Sequence, residues 1–419
     1  MPVSKKDSFI FCLQAKLVDL FQIDVIIHIM LINRYLTKYI LEDLSEKMVF
    51  VGGPRQIGKT TIARDFVSRH FREIGYYNWD NRTDRRKIMQ SNWPGNAELI
   101  ILDEIHKYKK WKSFVKGEYD TLKEKYKFMI TGSARLDIYR KGGDSMLGRY
   151  HYYRLHPLSM AELTGKFSIP SIFKEIPISS KAEKDTLLSL DKFGGFPELF
   201  IKQNMRALRR WHNKKNDQLF REDIRDIEPV RDIISMKLLG DMLPERSGAL
   251  LSINSLREDI EVSHRAVTNW LNILESFYYC FRIYPYIGKN YRSLKKESKL
   301  YLWDWSEIND ESSRFENCVA SHLLKLVHFL QDYEGYKTNL YFLRSVDKKE
   351  LDFLVTVDEK PWFSVEVKLS DESISPNLHY FKGKLNIPYS YQVVKKTGVD
   401  RLINKIRVVS ADKFLLGLI

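Results

Sequence analysis

Cysteine is scarce in this chain, with Cys12, Cys280 and Cys318 the only three among 419 residues. Their spacing matches no zinc or iron–sulfur motif, and an odd number cannot pair completely. A disulfide scaffold and a cysteine-held metal are therefore both excluded, and a reducing, cytoplasmic setting is expected. Long apolar runs are lacking as well. The stretch 9–31 is rich in apolar residues but is broken by Gln14, Lys16, Asp19, Gln22, Asp24 and His28. Two acids and a lysine inside it argue against stable membrane insertion, and no small-residue cleavage site follows. Residues 1–29 read as an amphipathic extension, with Met30 as an alternative start of translation. Acidic charge is in deficit too. The 68 Lys and Arg outnumber the 54 Asp and Glu to leave a formal charge of +14, which suits a polyanionic partner, either nucleic acid or an anionic membrane surface. With 44% hydrophobic and 29% charged residues the composition is that of an ordinary soluble protein. Its length exceeds what a single core supports, so roughly two or three domains are expected.

What is present is more specific. Gly53-Pro54-Arg55-Gln56-Ile57-Gly58-Lys59-Thr60 is a complete G-x-x-x-x-G-K-[ST] phosphate-binding loop. The apolar run 47–51 before it reads as a buried strand, and Thr61 with the ten residues after it as a helix. Glycines let the backbone close around phosphates, so that N–H groups and the helix N-terminus face the anion. Lys59 is suited to the β- and γ-phosphates of ATP, and the Thr60 hydroxyl to Mg²⁺.

A second apolar run, Leu99-Ile-Ile-Leu102, ends in Asp103 and Glu104. Asp103 at the strand's C-terminal end suits the Mg²⁺ shell, and Glu104 the orientation or deprotonation of the attacking water. The run 127–131 makes a further strand, ending in Thr131 and Ser133, which could sense the γ-phosphate or serve only in the turn. Together with strands near 74–80 and 150–156, this alternation predicts an α/β fold with a parallel sheet covered by helices on both faces, over residues 30–165. Arg149, after the glycine-rich segment 142–148, is a candidate γ-phosphate contact in cis or from a neighbouring subunit, or a plain surface arginine.

The strings Gly53–Thr61, Leu102-Asp-Glu-Ile-His106, Thr131-Gly-Ser-Ala-Arg135, Gly148-Arg149, His156-Pro-Leu-Ser-Met-Ala-Glu162 and Gly194-Gly-Phe-Pro-Glu198 occur together. In this combination the chain resembles the prokaryotic AAA-type ATPases that carry a C-terminal DUF4143 domain, over roughly residues 30–419. The resemblance implies an AAA-type ATP-binding core with Lys59, Thr60, Asp103 and Glu104 in the roles given above, and the possibility of a homo-oligomer.

Residues 166–245 read as a mostly helical lid or linker. Between Lys202 and Arg221 it carries seven Lys or Arg against Asp217 alone, either a solvated helix face or a phosphate-contacting surface. In 246–304, two short helical patterns precede a pair of strands, as in a winged helix. His264, Arg265, Thr268 and Asn269 would then be the exposed readers of DNA, and Lys295 and Lys296 would lie in a backbone-contacting wing. Winged helices also serve as packing modules between domains.

Residues 305–419 show helix, three strands, helix, strand, an αβββαβ order. Asp352 and Glu366 fall on neighbouring strands, and Glu366 and Lys368, two apart, share a face. This resembles the PD-(D/E)XK, restriction-endonuclease-like core. It implies carboxylates Asp352 and Glu366, with Glu316 from the preceding helix as a third ligand, holding Mg²⁺ over a phosphodiester while Lys368 stabilises charge. Asp352 lacks the preceding proline of that motif. The function expected is an ATP-hydrolysing AAA-type protein that engages nucleic acid, most simply DNA, with Mg²⁺-dependent cleavage by the C-terminal domain as a further possibility. The alternative is a nucleotide-dependent switch or scaffold for protein partners whose nuclease-like domain does not cleave. A regulator docked on a membrane through residues 1–29 is a third, weaker reading.

Overall fold

The computed structural model describes residues 34–133, 136, 146–225, 232–287, 297–370 and 373–419. The N-terminal extension, Arg135 and the wing residues Lys295 and Lys296 lie outside the described residues. Five short runs build the first sheet: β1 (Met48–Gly52), β2 (Ile74–Asn78), β3 (Leu99–Asp103), β4 (Lys127–Gly132) and β5 (Tyr150–Arg154). Every residue of β1 and β3 is buried, because these strands are covered on both faces, whereas edge strand β2 alternates. The order is β2-β3-β4-β1-β5 with all pairs parallel, so the C-terminal ends of β1, β3 and β4 open side by side.

A helical segment follows, with helices at Lys184–Phe193, Pro197–Lys202, Met205–Gln218 and Ile233–Met242. The third is capped by the Asn204 side chain, which accepts the N–H groups of Arg206 and Ala207. It buries Leu208 and Trp211 while Arg206, Arg209, Arg210 and Lys214 face outward. Lys215 turns inward instead, to Asp304 (3.2 Å) and Glu307 (2.6 Å). The pair Ile253–Asp259 and His264–Ser276 then leads into a hairpin, β6 (Cys280–Pro285) and β7 (Lys299–Leu302). Ser263 caps the second helix of the pair by accepting the N–H of Ala266.

The C-terminal region begins with the long helix Glu311–Asp332 and continues as β8 (Thr338–Arg344), β9 (Glu350–Val357), β10 (Lys360–Lys368), helix Pro376–Leu385, β11 (Tyr389–Val394), β12 (Asp400–Ile403) and β13 (Ile406–Ser410). The expected αβββαβ order is present, with β12 and β13 added at one edge. The hairpin is continuous with this sheet: Tyr284 and Pro285 of β6 pair in parallel with β8, giving the order β12-β13-β11-β10-β9-β8-β6-β7. One buried apolar cluster runs from Val49, Ile101 and Met129 through Trp211 and Leu271 to Phe329, Val355 and Val365. The two sheets thus share a core, and a smaller cluster around Phe50, Ile100 and Ile130 covers the other face of the first sheet. Among the described residues no helix is long and apolar enough to cross a membrane.

Candidate functional site

The phosphate-binding loop leaves the C-terminal end of β1 and turns directly into the helix that starts at Lys59. Its two terminal glycines have φ values of +151° (Gly53) and +100° (Gly58), in the range that L side chains rarely adopt. A Cβ on Gly53 would also lie 2.6 Å from the Leu155 carbonyl oxygen. Lys59 is buried, and its ammonium donates to the carbonyls of Gly53 (3.0 Å) and Pro54 (2.7 Å). Burial lowers its pKa, against the pull of Glu104 and Asp103. Gln56, Thr60 and Thr61 are exposed at the mouth, and Ile57 is buried beneath it.

Asp103 is the hub of the site. Its Oδ2 accepts from the Thr60 hydroxyl (2.8 Å) and from Tyr76 (2.7 Å), with Asn78 Nδ2 at 3.4 Å. Its Oδ1 accepts from the Thr131 hydroxyl. Thr60, Asp103 and Thr131 are therefore in direct contact, although 43 and 28 positions separate them in sequence. Tyr76 and Asn78 were not singled out in the sequence. They alternate on β2, whose register sets Asn78 beside Asp103, and that period of two was the only signal. An all-oxygen set of hydroxyl and carboxylate groups fits Mg²⁺.

Glu104 follows in a left-handed backbone conformation (φ +57°), a strained geometry for a non-glycine residue. Burial raises its pKa while Lys59 pulls it down, and its Oε2 is buried with no hydrogen-bond partner. His106 Nε2 stands 3.7 Å away; burial holds that ring's pKa at about 3, so it is neutral and forms no ion pair with the carboxylate. Ser133, just past β4, lines a cleft with Arg55, Phe196, Trp211, Tyr278 and Asp223. Across this cleft Arg55 of the loop pairs with Asp223 of the helical segment at 2.9 Å.

Arg149 corrects the expectation of a contact in cis. It immediately precedes β5, and its carbonyl accepts the N–H of Met48 at the start of β1, the end of the sheet opposite the phosphate loop. Its side chain pairs with Asp120 at 2.7 Å.

A buried charge cluster ties the loop to the C-terminal half. Arg34 donates to the Ile57 carbonyl (2.7 Å) and to Glu162 (2.8 Å), and Glu162 also meets Lys325 of the long helix. Burial alone would raise the Glu162 carboxyl, but Arg34 and Lys325 hold it down at about 2. Glu162 and Ser159 form a capping box, the reason for the Ser-x-x-Glu spacing seen in the sequence. Beside this cluster, Arg154 and Asp332 make a second buried pair at 2.6 Å.

The second group of candidate residues surrounds β9 and β10. Asp352 Oδ2 accepts the N–H of Val367 (2.9 Å), and Lys368 pairs with Glu366 (2.9 Å). Glu316 accepts from the Tyr301 hydroxyl (2.7 Å). Burial first, and Asp352 second, push the carboxyls of both Glu316 and Glu366 up to about 7. Lys299, at the start of β7, stands among these carboxylates, 2.8 Å from Glu350 and 3.6 Å from both Glu316 and Asp352. Among the described residues no three His, Cys, Asp or Glu side chains are grouped as a metal site requires. The carboxylates are of the right type for a divalent ion, but with an ammonium among them they do not fit one.

On the helix His264–Ser276, the expected DNA-reading residues His264, Arg265 and Asn269 are exposed, and Thr268 is half-buried, donating to the His264 carbonyl (2.9 Å).

Residues 45–164 match the model of an AAA domain (AAA_14), residues 189–309 a domain of unknown function (DUF8612), and residues 312–414 a second one (DUF4143). An uncharacterized protein of Methanocaldococcus jannaschii is 24% identical over 351 residues, 78% of this chain and 76% of its own length. An uncharacterized protein of Mycobacterium tuberculosis is 21% identical over 343 residues, 79% of this chain and 72% of its own. Among solved structures, the Thermotoga maritima RuvB Holliday junction branch migration motor aligns with 60% of this chain and 89% of its own, at 15% identity and a TM-score of 0.31. The chain thus combines a region similar to AAA domains, built on a parallel sheet with a phosphate-binding loop, and a C-terminal region similar to DUF4143.

Proposed function

We propose that the chain hydrolyses ATP and couples that cycle to engagement of nucleic acid. The observation that carries the hydrolytic role is Glu104, whose buried carboxylate oxygen has no hydrogen-bond partner beside the Thr60–Asp103–Thr131 group. A carboxylate oxygen that accepts no hydrogen bond at this position, with the Lys107 ammonium at 3.9 Å, is available to orient and deprotonate water. In this reading Lys59 leaves the carbonyls of Gly53 and Pro54 for the β- and γ-phosphates, and loop N–H groups from Arg55 to Thr61 hold the phosphate oxygens. Thr131 and Ser133 sense the far end of the triphosphate. Thr60 and Asp103 would hold Mg²⁺, which neutralises charge across the phosphates. A triphosphate would compete with Asp223 for Arg55, so its arrival is felt by the helical segment. Nucleic acid would meet the exposed face of the helix His264–Ser276, with Lys295 and Lys296 adding backbone contacts, helped by the surplus of positive charge. Arg149 can serve a nucleotide only across an interface with a second copy of the chain.

The test is ATP turnover together with salt-dependent DNA binding. Turnover is expected to vanish in Lys59→Ala, and DNA affinity to fall linearly with the logarithm of salt concentration. Full turnover in a folded Lys59→Ala protein contradicts the first part, and no DNA binding at low salt contradicts the second.

A second reading is a nucleotide-dependent switch whose C-terminal domain does not cleave. The specific observation in its favour is Lys299, whose ammonium sits among the carboxylates that a Mg²⁺-dependent nuclease would use. Cleavage through Asp352, Glu366 and Lys368, with Glu316, requires that Asp352 and Glu316 first be released from it.

A further inference from the structure

The acidic pocket of the C-terminal sheet contains a cation that belongs to the chain itself. Lys299 opens β7 and is 3% exposed. Its ammonium lies 2.8 Å from Glu350 Oε1, 3.6 Å from Glu316 Oε1 and 3.6 Å from Asp352 Oδ1. Opposite charge raises its pKa despite the burial that alone would lower it. The other charges nearby are matched in the same way. Arg344 meets Glu350 at 2.8 Å and Lys368 meets Glu366 at 2.9 Å. The second oxygen of Asp352 is taken by the Val367 N–H. One atom is left over: Glu366 Oε2, in a residue 4% exposed, has no hydrogen-bond partner.

Glu316, Glu350 and Asp352, from the long helix and β9, face one ammonium, with Glu366 on the neighbouring strand β10. Their oxygens are of the type a hard divalent cation takes, but around Lys299 no three of them are grouped as closely as a metal ion requires. An ammonium already within ion-pair reach of three of them repels such a cation, and in a largely buried pocket that repulsion is poorly screened. We propose that Lys299 is the resident counter-cation of this cluster and excludes a divalent metal from it, so that the cluster is a masked Mg²⁺ or Mn²⁺ site. The hairpin β6–β7, expected from sequence to be a DNA-contacting wing, would then supply the mask. This inference rests on reading the carboxylates as the chemical centre of the C-terminal domain and is independent of the proposed ATP site.

The experiment is Mn²⁺ binding to the full chain without nucleotide, followed by the loss of the free-ion electron paramagnetic resonance signal. Wild type, Asp352→Asn, Lys299→Met and the Lys299→Met/Asp352→Asn double variant are compared. Wild type and Asp352→Asn should bind Mn²⁺ alike, whereas Lys299→Met should gain one site, at least roughly tenfold tighter than any in wild type, that the double variant loses. A site in wild type that Asp352→Asn abolishes overturns the proposal, as does a folded Lys299→Met protein with no new site. If Lys299→Met fails to fold, Lys299→Gln, which keeps a polar group among the carboxylates but no charge, is read in its place by the same outcomes. Plasmid cleavage by the same proteins keeps the two questions apart. Mn²⁺ bound by Lys299→Met without cleavage retires the nuclease reading and leaves the masked site. Cleavage by a metal-binding wild type retires the mask and keeps the nuclease.

Discussion

The proposed ATP site and the C-terminal acidic cluster use the same residue types, lysine beside aspartate and glutamate, yet their charges are arranged in opposite ways. In the first, Asp103 is held by the neutral hydroxyls of Thr60, Tyr76 and Thr131, and Lys59 rests on two backbone carbonyls. The lysine gives up only neutral hydrogen-bond partners when an anion arrives, and Glu104 keeps an oxygen that accepts no hydrogen bond, with Lys107 at 3.9 Å. In the second, Lys299, Lys368 and Arg344 already stand against Glu316, Glu350, Asp352 and Glu366. Residue types alone do not make a site ready for a ligand; what matters is whether their charges are already met from within the chain.

Breaking the first arrangement should have the largest effect. Lys59→Ala is expected to abolish ATP turnover, and Glu104→Gln to slow it by about 10² to 10⁴, the usual range for a positioned general base. Steady-state phosphate release measures both.

Next comes the charge cluster that joins the two halves. Glu162→Gln leaves Arg34 and Lys325 buried without their anion and should cost about 3–5 kcal/mol in unfolding free energy, as removal of one partner of a buried pair does. Because the Glu162 carboxyl is held at about 2 from an ordinary 4.5, its contribution is present above about pH 4.5 and is lost as the pH falls toward 2. A Glu162→Gln protein as stable as wild type in urea at neutral pH would remove this cluster from the account.

The C-terminal cluster has the opposite pH dependence. The Glu366 carboxyl is raised from 4.5 to about 7, so between these values the folded chain holds a proton that the unfolded chain has lost. Stability should therefore fall as pH rises through that window, by at most roughly 3 kcal/mol. Glu366→Gln should flatten the slope of melting temperature between pH 5 and 8, and an unchanged slope would mean that Glu366 is not its source.

The smallest effect is expected on the exposed helix. Arg265→Ala should weaken DNA binding and reduce the salt slope by about one if the residue contacts a phosphate. An unchanged slope would move nucleic acid to another face.

The sequence was informative where function is local. The loop 53–60 and the strand ending in Asp103-Glu104 are contiguous strings, and hydrophobic pattern placed each on its strand. The αβββαβ order was legible from strand-length apolar runs and the helical stretches on either side of them. Arg34, Asp223 and Lys299 were not legible as site residues, because each acts on a partner far along the chain. Lys299 and Asp352 are 53 positions apart, and they meet only because β6 joins the sheet beside β8 through two residue pairs. No short-range periodicity encodes that join. The cis reading of Arg149 failed for the reverse reason: an arginine after a glycine-rich loop suggested a phosphate contact, but the direction of β5 carries it to the far end of its own sheet.

The most direct test of the contrast is nucleotide binding and single-turnover hydrolysis by the Glu104→Gln protein beside wild type. The account predicts that the variant binds ATP as wild type does and hydrolyses it at least about 100-fold more slowly. Hydrolysis at the wild-type rate would contradict it, since the carboxylate of Glu104 would then have no part in the reaction.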